Sequence, residues 1–238
     1  MSFNVRLLNT YKWTEEKNIE GKIYNFISEK DPDIICLQEY PRKHKKIKNY
    51  NYRYLKHHSK GSGLGQLILS KYKIINKGSL DFKNSGNNAI FADIVIKNDT
   101  LRFYNIHLQS LQIDKDKENF GASDSKNLLY TFKKYFKQQA SQVEKIIAHE
   151  KTCTYKTIFM GDFNNTAFSW VYRTLKNEKN DAFIEAGAGF GKSFDYIFPF
   201  RIDYILTHPE IKIHNFKTFN NLTYSDHYPI MARINISK

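Results

Sequence analysis

Thr157-Ile158-Phe159-Met160-Gly161-Asp162-Phe163-Asn164-Asn165 is an apolar run that halts at a glycine and then presents an acid and two amides. Thr157 to Met160 suits a buried strand, and Gly161 permits a left-handed or closely approached backbone where a side chain would clash. Side chains two apart in an extended segment point the same way, so Asp162 and Asn164 can face one ligand. The stretch reads as a core strand that delivers polar chemistry at its carboxyl end.

Outward from it, the same construction recurs. Ile34 to Glu39 is an apolar run ending in an acid, and Phe103-Tyr104-Asn105-Ile106-His107-Leu108 brings an imidazole to a strand end. Arg201 to Leu206 carries Asp203 on the face opposite Ile202 and Tyr204, and Ser225-Asp226-His227 precedes an apolar strand, Tyr228 to Ile236. Singly, these are an Asx-turn, a solvated acid and a rim histidine. Together they set several carboxylates at a core boundary, where each is costly to leave unpaired and all repel one another. A divalent cation removes both penalties, and His227 is the expected partner of Asp203.

In chain order, Asn4 in Ser2-Phe3-Asn4-Val5, Glu39 in Leu37-Gln38-Glu39, Asn105-Ile106-His107-Leu108, Gly161-Asp162-Phe163-Asn164, Ile202-Asp203-Tyr204-Ile205 and Ser225-Asp226-His227-Tyr228-Pro229 resemble the motifs of the endonuclease/exonuclease/phosphatase family. The resemblance spans residues 2 to 236. It implies one α/β domain over 1–238: a four-layer α/β sandwich of two mainly antiparallel mixed sheets flanked by helices. It also implies hydrolysis of a phosphate ester by in-line attack of an activated water. Mg²⁺ or Mn²⁺ would be held chiefly by Glu39, with Asn4 and Asp226 assisting, since oxygen donors select hard ions. His227 would take the proton from water, oriented by Asp203, with Asp162 and Asn164 steadying the water or the phosphorus and His107 a phosphate oxygen. Arg6, Asn105 and Arg201 are the expected substrate contacts. Abasic-site endonucleases carry an acid where this chain has Arg6, which separates it from their specificity.

With 238 residues, 41% hydrophobic and 15% aromatic, the chain can build one sizeable core, and no linker divides it. Lys and Arg outnumber Asp and Glu by 37 to 24, for a formal net charge of +13. That balance favours a polyanion, with nucleic acid the leading substrate class and a phospholipid or sugar phosphate the alternatives. A non-catalytic nucleic-acid-binding module is the third reading, and the carboxylate cluster speaks against it. Two cysteines, Cys36 and Cys153, make no disulfide framework. No apolar run is long enough to span a bilayer, so stable membrane insertion is not expected, and a monomer is favoured. The first core strand follows Met1 at once, which is compatible with the excised domain of a membrane-tethered bacterial protein.

Phe3, Val5 and Leu7 alternate with Asn4 and Arg6 as a short strand, and a helix over Glu15 to Lys30, capped by Thr14, precedes the Glu39 strand. Lys43, Lys45, Lys46 and Lys48 read as a solvated loop, with a phosphate-tracking rim the alternative. Gly61, Gly63 and Gly65 read as a turn before strands at Gln66 to Ser70 and Tyr72 to Ile75. Strands near 89–97 and 101–108 form a hairpin, Asp114 to Asp124 is a charged surface loop, and Ser125 to Glu150 is a long amphipathic helix. Ser169 to Lys176 suits a short helix. Gly187, Gly189 and Gly191 lead into the aromatic run Phe194 to Phe200, which suits core packing, base stacking or lipid contact.

Overall fold

The computed structural model describes residues 1–58, 63–110 and 125–236, without the side chains of 125–129. The elements in order are β1 (Ser2–Asn4), α1 (Ile19–Lys30), β2 (Ile34–Gln38), β3 (Tyr52–His57), β4 (Gly65–Ser70), β5 (Ile74–Ser79), β6 (Asn88–Ile96), β7 (Asp99–His107), α2 (Ser125–Glu150), β8 (Lys156–Asp162), α3 (Trp170–Lys176), β9 (Asn180–Asp181), α4 (Ala182–Ala186), β10 (Asp203–Thr207), β11 (Lys212–Thr218) and β12 (Ile230–Asn235). One six-stranded sheet runs β11-β12-β1-β2-β4-β3 and the other β5-β6-β7-β8-β10-β9. Most neighbours are antiparallel, and β1–β2 and β7–β8 are parallel.

Side-chain alternation assigns the layers. Ile34 and Cys36 of β2 enter the core between the sheets, while Ile35 and Leu37 face α1 with Phe26 and Ile27. Ile158 and Met160 of β8 likewise face the other sheet, and Phe159 packs with Val143 and Ile146 of α2 and Leu175 of α3. Both faces of these strands are covered, which is why they read as unbroken apolar runs. The order is helix, sheet, sheet, helices. A cleft of about 410 Å³ that includes Ile34, Met160 and Ile205 in its lining contains none of the candidate site residues.

Several local expectations are corrected. The first strand ends at Asn4, and Arg6, Leu7, Leu8 and Asn9 all take positive φ, from 41° to 62°, in a left-handed turn. Thr14 does not cap α1, which starts four residues later than expected behind Asn18. Asn9 instead brackets Thr14, accepting from its N–H at 3.3 Å and donating to its carbonyl at 3.0 Å, so local side-chain bonds displace the first helical turn. The strand after Tyr72 starts at Ile74 and runs on to Ser79, and the last strand is shorter than expected. β3 and β11, each with exposed positions, carried no clear signal. Gly61 and the Asp114 to Asp124 segment lie outside the described residues.

Candidate active site

Strand register brings the site together. β7 and β8 pair His107 with Asp162, and β8 and β10 pair Asp162 with Asp203, so three polar residues form one cross-strand row. All three continue the face that is apolar deeper in the seam: Phe103, Met160 and Ile205 lie two or four residues away on the same strands. From the facing sheet, the parallel pairing of Asn4 with Gln38 sets Glu39 just beyond the strand end. Glu39 adopts φ 51°, which ends the ladder there.

Gly161 is where the backbone demands glycine. Its φ is +147°, and a Cβ there would sit 1.9 Å from the Ile106 carbonyl oxygen. The absence of a side chain lets β7 and β8 close on one another immediately before Asp162.

Asp162 is the hub. Its Oδ2 accepts from Asn4 Nδ2 at 3.1 Å and lies 3.6 Å from Nε2 of both His107 and His227. Its Oδ1 accepts the Asn164 N–H at 2.8 Å, so the Asx-turn is present as well. Asn4 Nδ2 also donates to Glu39 Oε1 at 3.1 Å, while its side-chain Oδ1 accepts the Arg6 N–H. The network therefore turns the Asn4 nitrogen, not its oxygen, toward the carboxylates. His227 Nδ1 lies 3.0 Å from Asp203 Oδ2, and the Asp203 Oδ1 is buried without a partner. His107 is buried and sits 3.8 Å from Glu39 Oε1.

The electrostatics follow from burial and crowding. Burial, with Asp203 adding like charge, pushes the Asp162 carboxyl up to about 7 despite His227 beside it. Burial also raises Glu39. Burial works to lower His227, but the Asp203 and Asp162 carboxylates override it and lift the imidazole to about 10. His107, buried near His58 and His227, falls to about 3. Three carboxylates thus share too little positive charge. A divalent cation fits that deficit, and the buried Asp162, Asp203 and His227 form a cluster compatible with holding one.

The other expected residues divide. Asn164 donates to the Leu108 carbonyl at 2.9 Å. Asp226 pairs with Arg6 at 3.3 Å, and the Arg6 guanidinium lies 4.5 Å above the Trp13 ring, at the rim. Asn105 lies beneath the cluster. It is wholly buried, donates to the Leu37 and Leu67 carbonyls, and accepts from Gln38, locking the two sheets beneath the site. Arg201 is likewise spent: it pairs with Asp181 at 2.7 Å and packs its guanidinium against Tyr204 and Phe183.

Sequence reading missed the residues that aim these groups. Ser193 Oγ accepts from the backbone N–H of Ile202 and Asp203, both at 3.0 Å, and Ser225 Oγ donates to the Asn4 carbonyl at 2.8 Å. Phe194 lies 4.9 Å from the His227 ring, centroid to centroid. A serine in a glycine-rich stretch carries no signal of this. Gln38 was visible only as a polar residue at the end of an apolar run.

The model of the endonuclease/exonuclease/phosphatase family matches residues 1–227. This chain belongs to that family. As an endonuclease/exonuclease/phosphatase protein it falls within a superfamily of metal-dependent phosphoesterases. Solved structures agree on the fold. A family protein from Leptotrichia buccalis C-1013-b superposes with a TM-score of 0.68 at 20% identity, covering 99% of this chain and 98% of that one. A mannosyl-6-phosphatase of Bacteroides thetaiotaomicron VPI-5482 gives 0.73 at 17% identity, with the same coverage of 99% and 98%. A humanized D. rerio TDP2 gives 0.73 at 17% identity, covering 98% and 97%. Among curated proteins, none matches the chain by sequence. Among the described residues, no helix is long and apolar enough to cross a membrane.

Proposed function

We propose that this chain hydrolyses a phosphate ester by in-line attack of water, using Mg²⁺ or Mn²⁺. The observation that carries the reading is His227 held between two carboxylates, with Nδ1 on Asp203 and Nε2 turned toward Asp162. The Asp203 contact fixes the imidazole so that Nε2 is the atom left to exchange a proton with water. Asp162 and Asn164 border that position and orient the water, and His107 serves the phosphate oxygens.

Glu39 and Asp226, whose side chains are 25% and 19% exposed, are the carboxylates that an ion with its water shell reaches. Asp162 and Asp203 would face that ion from within, and Asn4 would position Glu39 and Asp162 through its amide nitrogen. When bound, a divalent cation supplies Lewis-acid stabilisation of charge developing at phosphorus. Hard oxygen donors in a carboxylate-rich pocket support this choice of ion.

These groups recognise phosphate and not what it is attached to. The fold is shared with a mannosyl-6-phosphatase and with TDP2, so it does not choose between sugar phosphate and nucleic acid. The test is Mn²⁺ binding by calorimetry beside hydrolysis of bis(p-nitrophenyl) phosphate and p-nitrophenyl phosphate. Glu39→Gln should weaken Mn²⁺ binding more than about tenfold without unfolding the protein. Hydrolysis undiminished in excess chelator overturns the metal assignment.

A further inference from the structure

Arg6 meets its carboxylate in a different manner from Arg102 and Arg201. Arg102 forks Asp93 through two nitrogens at 2.6 and 2.8 Å, and Arg201 lies 2.7 Å from Asp181; both arginine side chains are 10% exposed. The Arg6 contact runs from Nη1 to Asp226 Oδ2 at 3.3 Å, longer than the roughly 2.7 to 2.9 Å of a charge-assisted hydrogen bond, and the side chain is 39% exposed. Ion pairs of that kind contribute little to stability. The first two arginines fasten the fold, whereas Arg6 can exchange its partner at small cost.

The surroundings of Arg6 are nonetheless built. Arg6, Leu7, Leu8 and Asn9 take four consecutive positive φ values with no glycine among them, a costly backbone that persists only where contacts fix it. The Arg6 N–H is bonded to Asn4 Oδ1 at 3.1 Å and the Leu7 N–H to the Glu39 carbonyl at 2.9 Å, so the turn is pinned to two strand ends of the site. The Trp13 ring holds the guanidinium, with its centroid 4.5 Å from Cζ. Burial raises the Glu39 carboxyl and Arg6 is among the charges that hold it down, so the guanidinium acts on both carboxylates that face an ion.

Asp226 is already committed, with Oδ2 on Arg6 and Oδ1 3.3 Å from the Ser225 hydroxyl. A cation that claims this carboxylate repels the guanidinium at short range and displaces it. The planar group can keep its seat on Trp13 while its N–H donors turn to another anion, and guanidinium geometry matches phosphate oxygens.

We propose that Arg6 is an exchangeable clamp: it neutralises Asp226 in the ion-free protein, yields that carboxylate to the divalent cation, and then binds a phosphate oxygen of the ligand from its seat on Trp13. Ion and phosphate thereby strengthen each other's binding through one side chain. The clamp rests on the reading above of Glu39 and Asp226 as the carboxylates that the ion reaches.

The experiment follows Mg²⁺ binding by calorimetry and by Trp13 emission in a Trp170→Phe background, which leaves Trp13 the single indole. Inorganic phosphate is then titrated into the ion-free and the Mg²⁺-loaded protein. Mg²⁺ alone should shift the Trp13 emission, because the guanidinium over the ring loses the carboxylate that balances it, and Arg6→Gln should abolish the shift. Arg6→Gln should bind Mg²⁺ about fivefold more tightly, since no ion pair has to be broken. The same variant should bind phosphate at least about tenfold more weakly in Mg²⁺. Arg6→Lys keeps the charge without the planar fork, so it should return the wild-type Mg²⁺ affinity but not the phosphate affinity. Both variants should keep the wild-type thermal midpoint. A lowered midpoint with weakened Mg²⁺ binding assigns Arg6 to the fold and overturns the clamp. Mg²⁺ bound with Trp13 silent, or phosphate binding indifferent to Arg6→Gln, overturns it too and leaves the hydrolytic reading standing. No Mg²⁺ bound by the wild type overturns both.

Discussion

His227 reaches back 24 positions to place Nδ1 3.0 Å from Oδ2 of Asp203. Neither residue owes this to its local sequence. Asp203 is fixed by its pairing with Asp162 and by Ser193 at its own N–H, and His227 by Ser225 and the Phe194 bridge. A carboxylate that orients and charges an imidazole acts with it as one unit. Asp203→Ala and His227→Ala should each lower kcat by about 10² to 10⁴, and the double variant should lose little more than the worse single. Losses that multiply in steady-state kinetics of the double variant refute the unit.

The same contact governs pH dependence in the metal-free protein. His227 is raised to about 10, so its contribution to stability is full below the ordinary histidine value and is lost as pH rises through about 10. Asp162, raised to about 7, acts in the same direction at lower pH. Between pH 7 and 10 the thermal midpoint in EDTA should therefore fall, and Asp203→Asn should flatten the fall. Nitrogen-detected NMR should place the His227 titration far above an ordinary histidine, and Mg²⁺ should lower it. A His227 midpoint near 6.5 in EDTA contradicts the geometry.

Asn105 should prove structural. Asn105→Ala removes the side-chain donor to the Leu37 and Leu67 carbonyls and the acceptor of the Gln38 amide between the sheets, at a cost of about 2 to 4 kcal/mol. Urea unfolding should show that loss while KM of the surviving enzyme stays within about twofold. A raised KM at full stability restores Asn105 to the substrate.

Arg201 makes the parallel case. Lysine keeps the charge but not the planar group set against Tyr204 and Phe183, nor its contact with Asp181. Arg201→Lys should lower stability by about 1 to 3 kcal/mol, measured by urea unfolding, with KM unchanged.

The sequence alone pointed to the layering and to polar residues gathered at strand ends. Alternation in Ile34 to Leu37 and Ile158 to Met160 dictates strands covered on both faces, and the acids and imidazoles stand at the ends of those strands. Both signals are local, with period two and a break at the end, so they survive in a linear reading. Only the tertiary structure decided how those residues are used. Asn105, two positions before His107 on one face of β7, stops a layer deeper in the seam and so becomes a clamp between sheets. Arg201, two before Asp203, is drawn to Asp181 across the β9–β10 edge. Asn4 turns its nitrogen inward because Arg6, in a left-handed turn that alternation could not announce, claims its oxygen. Depth in a seam and choice among donors depend on partners far away in the chain, and no pattern of neighbours encodes them.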